Sequence, residues 1–203
     1  MEIGYGNLER LLIELFGLSE TQRGALLGRF KYLQRIGGYG ATLTGRGRAS
    51  YAIDDILQIV LIFELIDSGC SPTHAVRIVQ SYWDRARVNL AYAWSEIRAA
   101  PNGPLSEQLL WTVIPSLLTE LGAGNGMLGV SLDENPGETT LGEILAWRTG
   151  KGPAAKRHAI VVHLPSLLTA LHEAIAVVAP AQSEALTTAL DRFARDCGVA
   201  LPG

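Results

Sequence analysis

The stretch from Tyr39 to Ser50, YGATLTGRGRAS, most constrains what this chain can fold into: it is ill suited to a helix, yet it lies between two segments punctuated as helices. Thr42-Leu43-Thr44 alternates polar and apolar, and Gly45-Arg46-Gly47 supplies a tip. That pattern predicts a β-hairpin or wing with arginines at its end. Upstream, Ser19-Glu20-Thr21-Gln22 has the S-x-x-Q form of a capping box, which predicts a helix from there to Ile36 closed by Gly37-Gly38. On a helical wheel Leu26, Leu27, Phe30 and Leu33 form one apolar arc, while Thr21, Gly28, Lys31, Tyr32 and Arg35 point the other way. Downstream, Asp54-Asp55 open an apolar helix from Ile53 or Asp54 to Asp67, with carboxylates in the first turn where the helix dipole favours them. Its expected buried stripe is Ile56, Ile59, Val60, Phe63 and Ile66, and Gly69 stops it.

Around this helix–hairpin–helix unit the same signals continue. Asn7 is the expected N-cap of a short helix, Leu8 to Phe16, with Leu8, Leu11, Leu12 and Leu15 on one face and Gly17 at its end. Ser71 as N-cap and Pro72 at the first helical position start the longest helix, running to about Ala100. Along it Val76, Val79, Trp83, Ala86, Leu90, Ala93 and Ile97 recur at steps of three and four, a coiled-coil-like seam. Such a seam serves self-association or packing against the rest of the same chain, since both use that spacing. Pro101-Asn102-Gly103-Pro104 then marks a linker. Beyond it, Leu105 to Leu121 reads as helical despite Pro115, Gly126 to Asp133 as a strand and Leu141 to Trp147 as a short helix. His158 to Leu164 reads as a second strand, Pro165 as the start of a helix to Val178, and Ser183 as the cap of a last helix to about Asp196. This half is expected to be a two-stranded sheet covered by helices.

Charge is unevenly placed. Residues 1–103 hold eleven Lys/Arg and ten Asp/Glu, a net of +1, whereas residues 104–203 hold six and ten, a net of −4. Within the first half, Thr21 to Ser50 carries Arg23, Arg29, Lys31, Arg35, Arg46 and Arg48 and no carboxylate. That window is a local positive field suited to a phosphate backbone, inside a chain whose overall charge of −3 excludes a uniformly basic nucleic-acid coat.

Other classes find little support. Cys70 and Cys197 form neither a disulfide framework nor a C-x-x-C site, and a reducing cytoplasm is the expected compartment. The N-terminal residues show no signal-peptide pattern, and the runs Ile56–Ile66 and Ala159–Ala179 are too short or too interrupted for membrane spans. The histidines His74, His158, His163 and His172 lack H-E-x-x-H spacing, and no G-x-S-x-G is present. Thr149-Gly150-Lys151-Gly152-Pro153, followed by Lys156-Arg157, lacks P-loop spacing and reads as a solvated basic loop. No catalytic residue, metal site or cofactor is expected.

A short helix, a turn, a second helix with a basic outer face and an Arg-tipped hairpin follow the order of a winged helix-turn-helix. Lys31-Tyr32-Leu33-Gln34-Arg35-Ile36-Gly37 resembles the end of the recognition helix in MerR-like winged-helix proteins. Arg48-Ala49-Ser50-Tyr51-Ala52-Ile53-Asp54-Asp55-Ile56 is similar to that family's wing exit, and Leu65-Ile66-Asp67-Ser68-Gly69-Cys70-Ser71-Pro72 to its next helix-to-helix turn. The resemblance covers roughly residues 8–80, with Leu33 in place of an aromatic and a segment from Leu18 to Phe30 longer than usual. It implies a dimeric, DNA-binding transcription regulator, with Lys31, Tyr32 and Arg35 on the recognition helix and Arg46 and Arg48 in the wing.

The expectation is therefore a mainly α-helical protein. A winged helix-turn-helix domain over residues 1–71 leads through a long helix, 72–100, into a small α+β domain over 104–203 for dimerisation or partner contact. Double-stranded DNA would be held by Thr21, Gln22, Arg23, Arg29, Lys31, Tyr32, Arg35, Thr44, Arg46 and Arg48, and a second copy by Val76, Val79, Trp83, Leu90 and Ile97. The competing expectation is a protein-docking adaptor on a winged-helix fold without DNA binding, anchored by aromatics such as Trp83, Tyr92, Trp94, Trp111 and Trp147.

Overall fold

The computed structural model describes residues 1–37, 42–44, 48–101, 103, 110–114, 129–131 and 160–202; of 42–44, 48, 110–114 and 129–131 it describes the backbone alone. The chain opens with β1 (Glu2–Gly4), α1 (Tyr5–Leu15) and α2 (Glu20–Gly37). The strands β2 (Thr42–Thr44) and β3 (Arg48–Ala52) follow, then α3 (Ile53–Asp67) and α4 (Pro72–Ala99). After them come β4 (Leu110–Ile114), β5 (Gly129–Ser131), β6 (Ile160–His163), α5 (Leu164–Val178), a 3-10 turn (Pro180–Gln182) and α6 (Ser183–Asp196). The fold is mainly α-helical, with six helices among the described residues and small antiparallel sheets beside them.

Local chemistry accounts for most helix ends. Half of the capping box forms: Gln22 Oε1 accepts from the Ser19 backbone N–H at 2.9 Å, while the Gln22 backbone N–H donates to the Ser19 carbonyl, and α2 begins at Glu20. Asp55 Oδ2 accepts from the Ala52 backbone N–H at 3.0 Å, so the second of the paired aspartates fastens the start of α3. Ser71 caps α4 with Pro72 inside the first turn. Gly17 and Gly69 end α1 and α3 at φ values of +58° and +97°, where a Cβ would be strained. At both ends the next residue donates five positions back, Leu18 to the Ile13 carbonyl and Cys70 to the Leu65 carbonyl. Asn7 is not the cap of α1. The helix starts at Tyr5 after Gly4, and the Asn7 side chain accepts from Arg10 instead.

The hairpin is joined by a strand that the sequence pattern does not announce. The first sheet runs β1-β3-β2, antiparallel throughout, with Ile3 opposite Tyr51 and Leu43 opposite Ala49. Ile3 and Tyr51 are fully buried. The Tyr51 ring lies 5.9 Å from that of Phe30 on α2, Phe30 lies 5.7 Å from Tyr5 on α1, and the Tyr51 hydroxyl accepts from Gln34 Nε2 at 3.0 Å. One tyrosine thus joins the hairpin, the N-terminal strand and α2.

The C-terminal part departs from expectation in three ways. Leu110–Ile114 is a strand rather than part of a helix, and its β-branched and aromatic content (LWTVI) pairs between β5 and β6 in a three-stranded sheet where two strands were expected. The expected helix over 141–147 and the basic loop over 149–157 lie outside the described residues. The C-terminal helices do not form a core of their own. Buried Leu164, Leu168, Leu171 and Ile175 of α5 and Leu186, Leu190 and Phe193 of α6 belong to one apolar cluster with Leu8, Leu11, Ile59 and Leu90. A boundary at residue 104 therefore cuts a continuous core.

That core also uses the seam of α4. Val76, Val79, Ala86, Leu90 and Ala93 are buried and Trp83 and Ile97 are half-buried within the single chain, where α4 packs on α2, α3, α5 and α6. The seam expected to join a second copy is closed by the chain's own helices. Polar links reinforce it: Trp94 Nε1 donates to Asp191 on α6 at 2.8 Å, and Arg87 pairs with Asp54 at 3.4 Å while lying 5.6 Å from the Phe193 ring centroid. Helix α3 is consequently buried well beyond one stripe, with Leu57, Leu61, Ile62 and Leu65 also inside and Ile66 only half-buried.

Candidate nucleic-acid interface

Helix α2 divides as its sequence pattern predicts. Leu26, Phe30 and Leu33 are buried and Leu27 only half-buried, whereas Thr21, Gly28, Lys31, Tyr32 and Arg35 face solvent. Tyr32 is 40% exposed, and its hydroxyl stands 3.4 Å from Thr73 Oγ1 at the start of α4. Gln80 Nε2 donates to the Gly37 carbonyl at 2.8 Å, so α4 fixes the C-terminal end of α2 in place. Lys31 and Arg35 form no ion pair among the described residues. A carboxylate-poor helix end with two such cations and an exposed aromatic ring can meet a polyanion with little competition from the protein's own acids.

The two ends of α2 differ in what their side chains are free to do. At the N-terminal end Thr21 Oγ1 lies 2.8 Å from the Ser19 hydroxyl, and the Gln22 carboxamide holds the Ser19 backbone and hydroxyl. Arg23 bonds to Glu9 of α1, a carboxylate only 9% exposed, with Glu20 nearby at 3.7 Å. The hydrogen bond and charge of Glu9 push the guanidinium pKa up. Arg23, expected at the DNA face, is half exposed and serves as the counter-ion of the nearly buried Glu9. Arg29 is exposed but looks into a cleft lined by Phe16, Leu18, Leu26, Phe63 and Asp67, away from Lys31 and Arg35. The structure therefore brings Lys31, Tyr32 and Arg35 together and assigns Thr21, Gln22 and Arg23 to the helix start.

The hairpin carries the remaining expected residues. Thr44 is paired with Arg48 across the β2–β3 ladder, so both stand at its distal end, and Arg46 between them lies outside the described residues. The ladder is held at the other end by Tyr51, whose ring and hydroxyl contacts reach Phe30 and Gln34 on α2. Recognition-helix and hairpin candidates are thus linked through Tyr51, since Gln34 precedes Arg35 directly. Sequence reading missed Gly24 as a partner of Gly28 on the outer face. A Cβ at either position would meet nothing within 4 Å, so packing inside the chain does not explain them.

Other chemistry is weakly represented. Burial pushes the thiols of Cys70 and Cys197 above their usual pKa, which leaves them protonated and poorly nucleophilic. His74, His163 and His172 lie within hydrogen-bonding distance of Ser71, Ser166 and Thr187, respectively. Among the described residues no cluster of His, Cys, Asp or Glu is placed to hold a metal ion, and no helix is long and apolar enough to cross a membrane. No protein-family model, curated protein or solved structure matches this chain.

Proposed function

We propose that this chain is a sequence-specific DNA-binding protein that regulates transcription through a MerR-like winged helix-turn-helix. In this reading α1 and α2 form the helix-turn-helix, α2 enters the major groove, and the β2–β3 hairpin lies on the backbone or in the minor groove. The observation that carries it is the exposed cluster of Lys31, Tyr32 and Arg35 at one end of α2, joined through Phe30, Gln34 and Tyr51 to a hairpin that carries Arg46 and Arg48. Arginine suits both roles, because its planar fork grips a phosphate or a guanine edge with two hydrogen bonds. Reading a two-fold operator as a pair of copies is part of the proposal, and the pair would meet on a surface other than the α4 seam.

Selection from a random duplex library, followed by titration of the enriched sequence and a scrambled control at two salt concentrations, tests this reading. Specific binding should weaken steeply with salt, and each phosphate contact removed by Lys31→Ala, Arg35→Ala, Arg46→Ala or Arg48→Ala should lower the log–log slope by about 0.9. No enrichment, or weak binding equal for both duplexes and indifferent to the four substitutions, would overturn it and favour the protein-docking adaptor.

A further inference from the structure

A cavity of about 570 Å³ opens between the C-terminal end of α4, α5 and α6, at the opposite end of α4 from Thr73 and the α2 contact. Its size is that of a small-molecule site. Trp94, Ile97 and Pro101 give it an apolar wall, and the Trp94 ring stands 6.2 Å from that of His172, tilted by 34°. The polar groups are unevenly satisfied. Asp191 accepts from Trp94 and pairs with Arg98 at 3.4 Å, so one carboxylate and one cation at the cavity offset each other. Glu173 is exposed at the cavity edge and has no counter-ion among the described residues. One turn earlier on α5, the Thr169 hydroxyl oxygen is buried and makes no hydrogen bond. Thr187 donates to the Ser183 carbonyl at 3.3 Å, so its oxygen accepts from His172 Nε2 at 3.1 Å.

One exposed carboxylate at the cavity edge thus carries an uncompensated negative charge, and an apolar wall faces it. We propose that this cavity binds a small organic amine, its ammonium held by Glu173 and its apolar body laid against Trp94, Ile97 and Pro101. An ammonium supplies three donors and the missing positive charge, which neither a carboxylate nor an alcohol of the same body does. The inference stands apart from the DNA reading, because it concerns a different surface and a direct binding measurement.

The test is calorimetric titration of the full chain with tryptamine, indole-3-propionate and tryptophol, which share the indole and differ in the polar head. Tryptamine should bind with a Kd below about 1 mM, and the acid and alcohol about tenfold or more weaker. Glu173→Gln, at an exposed position that leaves the melting temperature unchanged, should cost tryptamine about tenfold. Equal affinity for all three heads, indifference to Glu173→Gln, or no binding of tryptamine or hexylamine would overturn the proposal.

Discussion

Glycines 24 and 28 cost α2 stability that nothing inside the chain recovers. Each lies in the helix interior with open space where a Cβ would stand. Gly24→Ala and Gly28→Ala should each stabilise the fold by up to about 1 kcal/mol, read as a raised urea midpoint. On the DNA reading the same changes lift the helix backbone from the groove, so affinity for the selected duplex should fall while stability rises. Arg23 behaves in the opposite sense. Arg23→Ala strips the counter-ion from the nearly buried Glu9 and should lower the urea midpoint, yet leave the salt slope of DNA binding unchanged, unlike Arg35→Ala. The residue scale was half legible in the sequence. The solvent-facing arc of α2 follows from its periodicity, but a cation's partner fourteen residues away in sequence depends on how α1 crosses α2, which no local pattern states.

At the scale of elements, the hairpin depends on a strand of three residues. Ile3 is fully buried opposite Tyr51, and Ile3→Ala should cost about 2–4 kcal/mol and speed amide exchange in β2 and β3 ahead of α4. A segment this short has no periodicity to read, and only pairing with β3 makes it a strand. Helix α3 shows the cost of burying an element on most of its surface. Burial, followed by the charge of Asp67, raises the Glu64 pKa. An acid whose folded pKa exceeds its unfolded value binds its proton more tightly in the native state, so its contribution to stability falls as pH rises through the carboxylate range. Glu64→Gln should therefore stabilise the chain at about pH 7 and have little effect well below about pH 4, a difference that urea midpoints at the two pH values would measure.

At the scale of the whole molecule, α5 and α6 complete the core that α1, α3 and α4 begin. Leu168→Ala or Leu190→Ala should cost about 2–5 kcal/mol and destabilise residues 1–100 with them. Tryptophan fluorescence and far-ultraviolet circular dichroism should report one coincident transition in the variants as in the parent chain. A chain ended at residue 103 would expose the faces of α1 and α4 that α5 and α6 cover, and should fail to show cooperative unfolding.

Sequence alone determined the parts governed by near neighbours. The helix start at Ser19, the glycines at 17 and 69, the Ser71-Pro72 start and the Thr42–Ser50 hairpin each arise from contacts within a few residues, and each formed close to where its residues predict. Tertiary structure decided what required a distant partner. The α4 seam has a spacing that fits a second copy or a neighbouring helix equally well, and the burial of α5 and α6 against the first hundred residues settled it in favour of the same chain. Leu110–Ile114 has an apolar run compatible with helix or strand, and the backbone partners offered by β5 and β6 made it a strand. Periodicity specifies which face of an element is apolar, whereas the identity of the surface that covers it is a property of the whole chain's packing.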